Sequence, residues 1–228
     1  MADNLTKLVY KFGDGIAEGD KSMKAHLGGK GANLSEMSSI GLPVPPGFTI
    51  NTDSCKYYSE HGGQWPQNLD DQVRDGIDHI ASQMEAGFGD SDNPLLVSVR
   101  SGAAVSMPGM MDTVLNLGLN DAAVEGLARK SGNERFAYDA YRRFIDMFGD
   151  VVMGVHHEYF EEAIEALKKE RGVENDVDLS AGDLKVLVDR YKAIYREHTG
   201  DMFPEDPYEQ LKLSINAVFG SWDSDRAL

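Results

Sequence analysis

Apolar positions change their period several times along the chain, and each change marks an element. Leu8 to Phe12 (LVYKF) reads as a strand, closed by the turn Gly13-Asp14-Gly15. The stretch GGKGANLSEMSSIGLPVPPGFTI follows: a glycine loop, a helix starting near Lys30 to Ala32, a stop at Gly41, and a proline-rich turn into a second strand-like piece, GFTI. Thr52 to His61 has the length of a short helix, and from Leu69 onward Val73, Ile77, Ile80 and Met84 recur at one helical face. PLLVSV, apolar at nearly every position up to Val99, predicts a strand covered on both faces, with Arg100 buried at its end.

Beyond Gly118 the pattern turns helical. Phe136, Tyr141, Phe144, Ile145 and Phe148 form one stripe, and Leu184, Leu187, Val188, Tyr191, Ile194 and Tyr195 form another. Ser180 with Asp183 three residues on predicts a capped start for the second helix. The polar, acidic run from Glu170 to Asp183 is expected to be the most flexible surface loop. A last helix begins at Pro207, with Asp206 as its cap and Glu209 in its first turn; Leu211, Ile215, Val218 and Phe219 form its buried face, and Gly220 is expected to end it. The fold class is therefore α+β, with a helical block interrupting a mixed part.

Composition narrows the partners. With 228 residues and 41% hydrophobic content the chain can bury a core of ordinary globular type. Its 38 acidic against 22 basic residues give a net charge of -16, which repels nucleic-acid backbones and anionic membranes; neither is an expected partner. A small anionic ligand is not excluded, because a basic pocket can sit on an acidic body. Cys55 is the only cysteine, so no internal disulfide can form, and it reads as a small buried residue. The start MADNLTKLVY has neither a basic beginning nor an apolar centre, and no stretch has the length of a membrane span; a cytoplasmic location is expected.

Two loops carry candidate chemistry. In Gly28-Gly29-Lys30-Gly31-Ala32-Asn33 the glycines allow close backbone approach, and an ammonium beside a helix start suits a phosphate. The spacing is not that of a P-loop, and a tight turn with a solvated lysine is the plainer reading. Arg100 follows a strand, and a guanidinium forks onto phosphate oxygens; Ser101, Gly102, Ser106, Gly109 and Thr113 add small hydrogen-bonding positions. A buried carboxylate partner for Arg100 is the alternative. Met110-Met111 suits core packing, or cover for an aromatic base beside Pro108-Gly109. His156-His157 with Glu158 and Glu161 lacks the second histidine of a zinc helix, and no metal site is expected in the chain.

GGKGANLSEMSSIGLPVPPGFTI, VSVRSGAAVSMPGMMDTVLNLGLND and FAYDAYRRFIDMFGDVVMGV closely resemble the N-terminal ATP-binding region of the pyruvate, phosphate dikinase family, and the resemblance covers essentially the whole chain. It implies an ATP-grasp fold, here its first lobe, built from residues 1–119 and 206–228 with a helical insert at 120–205. It also implies that Lys30 and Arg100 bind phosphate and that Gly109, Met111 and Asp112 belong to a glycine loop over the polyphosphate, flanked by Ser101 and Thr113. ATP with Mg2+ is the implied ligand. In the family, ATP donates a pyrophosphoryl group to a histidine on a separate domain. Phosphate takes one phosphoryl and pyruvate the other, giving AMP, pyrophosphate and phosphoenolpyruvate.

Ala104 stands where a basic residue is expected, which predicts a weaker phosphate site. The second lobe with its metal ligands, the phosphohistidine domain and the pyruvate barrel are expected beyond Leu228, and none of the six histidines matches the catalytic one. The chain is therefore expected to be a fragment, inactive alone and prone to associate, with the remaining domains of the parent enzyme as its partners. A non-catalytic module that binds a nucleotide or a partner, and the same domain of a phosphoenolpyruvate synthase-like dikinase, are the alternatives.

Overall fold

A computed structural model of the chain describes residues 6–102 and 113–223. The backbone is α+β and divides into two units. Residues 6–86, 101–102 and 218–223 make the first, and residues 87–100 and 113–217 the second.

In the first unit a three-stranded antiparallel sheet has the order β2-β1-β3 (Ile16–Ala17, Val9–Gly13, Gly47–Ile50). Val9 pairs with Ile50, Tyr10 with Thr49, and Phe12 with Gly47. Paired residues share a face and neighbours alternate, so Tyr10, Phe12 and Thr49 look to one side and Val9, Lys11 and Phe48 to the other. Helix α1 (Lys24–Ser39) lies on the first face, where Leu27 and Ala32 bury Tyr10. It comes so near that a Cβ on Gly31 would stand 2.6 Å from Thr49 Cγ2. Helix α3 (Leu69–Met84) covers the second face, where a Cβ on Gly76 would stand 2.5 Å from the Phe48 ring. Both glycines serve close packing of helix on sheet. Gln72 of α3 extends the strand ladder, accepting from the Leu8 and Val9 amides at 2.8 and 3.1 Å.

Between β3 and α3, helix α2 (Thr52–Glu60) is capped by Asn51, a buried residue whose side-chain oxygen accepts from the Ser54 amide. Cys55 is buried, as expected of a small apolar side chain.

In the second unit β4 (Val97–Val99) pairs antiparallel with β5 (Val114–Leu117) through an irregular register. The strand covered on both faces is not found: β4 has three residues, Val97 and Val99 half-buried and Ser98 exposed. The apolar residues ahead of it, Pro94 and Leu95, are the buried ones and lie in the approach to the strand. Helices α4 (Asp121–Ser131), α5 (Glu134–Met147), α6 (His157–Arg171) and α7 (Ala181–Thr199) follow, with a π turn at Phe148–Val152. Phe203 centres their core, its ring 5.4–6.4 Å from those of Tyr141, Phe144, Phe148 and Tyr195. The predicted α5 stripe holds except at Phe136, which is 51% exposed in the first turn; Ala137 is buried in its place.

The run from Glu170 to Asp183 is held at many points. Gly172 closes α6, a short 3-10 turn spans Asp176–Asp178, and Ser180 and Asp183 form the capping box of α7. Asp176 bridges the buried Arg142 and Lys168, and Arg135 donates to the Asp176 and Leu179 carbonyls at 2.8 Å each.

Helix α8 (Pro207–Asp223) starts in the second unit, where Asp206 Oδ1 accepts from the Tyr208 amide. It runs through Gly220 rather than ending there, so its last turn belongs to the first unit. No described helix is long and apolar enough to cross a membrane.

Candidate functional site

Gly28 breaks α1. Its φ of 72° and ψ of 168° lie in a region open almost only to glycine, so a short turn, 24–27, ends there and a new helical segment runs on to Ser39. Each side of the break is tied to a different part of the sheet layer. Ahead of it, His26 Nε2 lies 3.0 Å from the Tyr10 hydroxyl and His26 Nδ1 3.2 Å from Asp53 Oδ2, while Thr52 donates to the Ala25 carbonyl at 2.9 Å. Burial, reinforced by the Asp53 charge, pushes the Tyr10 phenol up, so it stays protonated. After the break, Gly31 seats the segment against Thr49. Two directions set by tertiary contacts meet at one residue that can turn between them.

The restarted helix has the electrostatics of an anion site. The first amides of a helical segment have no partner within it, and the dipole places positive potential there. Lys30 is in that first turn. Its side chain is exposed, and its ammonium donates to the Ser101 carbonyl at 2.9 Å. No carboxylate among the described residues pairs with it. Ser101 itself is 2% exposed, and its hydroxyl oxygen accepts from Trp222 Nε1–H at 3.0 Å. Lys30, Ser101 and Trp222 therefore meet within the first unit, from three stretches far apart in sequence.

The other sequence candidates are placed differently. Arg100 follows β4 immediately and is exposed, not buried as its apolar approach suggests; it makes no ion pair with the described residues. The strand ahead of it is too short to enclose a side chain at its end. Thr113 is half-buried just before β5. Gly109, Met111 and Asp112, with Ala104 and Met110, lie outside the described residues. Among the described residues no group of three or more His, Cys, Asp or Glu could hold a metal. His157 pairs instead with Asp146 at 2.8 Å, a hydrogen bond that raises the imidazole pKa.

Sequence reasoning missed His26 and Trp222. His26 carried no motif, and Trp222 lay past the glycine expected to end α8.

The chain matches the family described as "Pyruvate phosphate dikinase, AMP/ATP-binding domain" over residues 24–70 and 62–228. It is 59% identical over 221 residues to "Pyruvate, phosphate dikinase, chloroplastic" of Flaveria trinervia, which covers 97% of this chain and 23% of that protein. Against "Pyruvate, phosphate dikinase 1, chloroplastic" of Arabidopsis thaliana the identity is 60% over 221 residues, with 97% and 23% covered. "Pyruvate, phosphate dikinase 2" of Zea mays is 59% identical over 219 residues, with 96% and 25% covered. The chain thus spans about a quarter of the length of these relatives.

Proposed function

The chain belongs to the pyruvate phosphate dikinase AMP/ATP-binding domain family, and on that premise we propose that it binds ATP and holds its polyphosphate for phosphoryl transfer in a pyruvate, phosphate dikinase. The whole reaction in this reading converts ATP, phosphate and pyruvate into AMP, pyrophosphate and phosphoenolpyruvate, through a histidine supplied by another part of the enzyme. Mg2+ accompanies ATP in this reading; among the described residues no group of three or more His, Cys, Asp or Glu could hold it without the phosphates.

One observation carries the proposal: an exposed lysine, in the first turn of a helix restarted at Gly28, with its ammonium on a neutral carbonyl. A carbonyl leaves the lysine charge uncancelled. A phosphate oxygen is a charged acceptor, and charge-assisted hydrogen bonds are roughly twice as strong as neutral ones, so the polyphosphate displaces the Ser101 carbonyl from Lys30. The helix-start amides add donors aimed at the same negative charge. Arg100 contributes a second permanent cation, argued from its residue type and its exposed place directly after β4. Gly109, Met111, Asp112 and Thr113 are assigned to the cover on family resemblance. Catalysis in this part is positioning and charge neutralisation of the transferring group.

Calorimetric titration with Mg-ATP tests the reading. The chain is expected to bind, with affinity falling roughly tenfold to a hundredfold in Lys30→Met, the range for one lost charge-assisted hydrogen bond. Unchanged affinity in both Lys30→Met and Arg100→Met would remove the assignment.

A further inference from the structure

The added turn of α8 has a consequence at Lys30. A lysine side chain has four rotatable bonds and carries about 2 kcal/mol of rotamer entropy, and this one stands on a protein with a net charge of -16. Left free, its ammonium would wander or settle on a surface carboxylate. It is found instead on the Ser101 carbonyl, at 2.9 Å. That carbonyl is a fixed point because Ser101 is buried and its hydroxyl oxygen is held by the Trp222 indole at 3.0 Å. The indole is steadied in turn by the helix behind it, where Phe219 packs against Tyr58 with ring centroids 5.3 Å apart.

We infer that Trp222 is a positioning residue for Lys30: through Ser101 it holds the ammonium at a set reach without cancelling its charge. The inference rests on the reading of Lys30 as a phosphate ligand. In the ligand-free chain the sequence of contacts is indole N–H to hydroxyl oxygen, and carbonyl oxygen to ammonium. When a polyphosphate takes the ammonium, the carbonyl loses its donor while the indole bond remains. Trp222 touches neither phosphate nor reacting atoms; it lowers the ordering cost of the residue that does.

The chain has two tryptophans, so Trp65→Phe leaves Trp222 as the sole indole. In that background the indole N–H resonance of Trp222 is followed by 15N NMR, with inorganic tripolyphosphate as the probe. The resonance is expected to move on adding tripolyphosphate and also, without ligand, on introducing Lys30→Met. Tripolyphosphate affinity is expected to fall about fivefold in Trp222→Phe, the equivalent of one net hydrogen bond. In a Lys30→Met background the same substitution is expected to have no further effect. If Lys30→Met weakens binding but Trp222→Phe does not, or if the two losses simply add, Trp222 only anchors the helix; the inference falls and the role of Lys30 stands. If Lys30→Met leaves affinity unchanged, the reading of Lys30 fails and this inference with it.

Discussion

Gly28→Ala sets two energies against each other. With φ 72° and ψ 168° the site is strained for any residue with a Cβ, at a cost of about 1–3 kcal/mol. The chain could escape by letting α1 run straight through position 28, which would gain about 1 kcal/mol from alanine replacing glycine in a helix. Straightening, however, would pull the 24–27 turn off its supports. Leu27 is 2% exposed against Tyr10 and Ala32, and burying such a side chain is worth about 1.5–3 kcal/mol. The Thr52 bond to the Ala25 carbonyl and the His26 contacts to Tyr10 and Asp53 would go with it. Strain therefore costs less than straightening, and the break persists in a weakened protein. At about 2–4 °C per kcal/mol for a chain of this size, the melting temperature is expected to fall by roughly 2–12 °C, with Mg-ATP affinity largely kept. Thermal unfolding followed by circular dichroism, beside calorimetry, reads both. A melting temperature at or above that of the unsubstituted chain would refute the ranking of the two costs, and the loss of ATP binding in that same variant would show the helix had straightened.

Two further outcomes concern the second unit. Gln210 is fully buried, accepting from the Gly118 amide at 2.9 Å and donating to the Leu119 and Pro204 carbonyls at 2.8 Å each. Gln210→Leu keeps the volume but strands three backbone groups, so stability in urea is expected to fall by about 3 kcal/mol or more, and a loss under 1 kcal/mol would mean water replaces the amide. Asp183 is pulled down to about 2, chiefly by its bond to Arg171 and then by Ser180. A carboxylate depressed in the folded state stabilises above its unfolded pKa near 3.9, and that contribution disappears as pH falls toward 2. Melting temperature against pH should therefore decline more steeply between pH 4 and 2 in the unsubstituted chain than in Asp183→Asn; parallel curves would show that Asp183 titrates normally.

Local rules made much of this fold legible. The Ser180–Asp183 capping box, the Asp206 cap and the start of the α3 face, Leu69, Val73 and Ile77, were readable because each depends on residues within one or two turns, whereas Ile80 is half-buried and Met84, expected on the same face, is 54% exposed. The apolar run before Arg100 misled, since a short apolar segment has the same pattern whether it is a covered strand or, as here, a buried approach to a three-residue one. The glycines of the Lys30 loop were read together as room for a ligand, yet they do separate work: Gly28 turns the chain and Gly31 admits Thr49. Only the partner across the sheet reveals the difference, and sequence spacing does not contain it.

Gly220 shows most plainly why the site was only half readable. Inside a helix a glycine costs about 1 kcal/mol relative to alanine, and punctuation rules end the helix there. That cost is offset when both sides of the glycine are anchored. Phe219, 5% exposed, packs on Tyr58 from one side, and Trp222 bonds to Ser101 from the other. The three residues gained are the ones that bring the indole to the carbonyl on which Lys30 rests. Lys30 was visible because a lysine among glycines is a local signal. Trp222 was not, because its bond joins positions 121 residues apart and exists only once the helix has overrun its expected end.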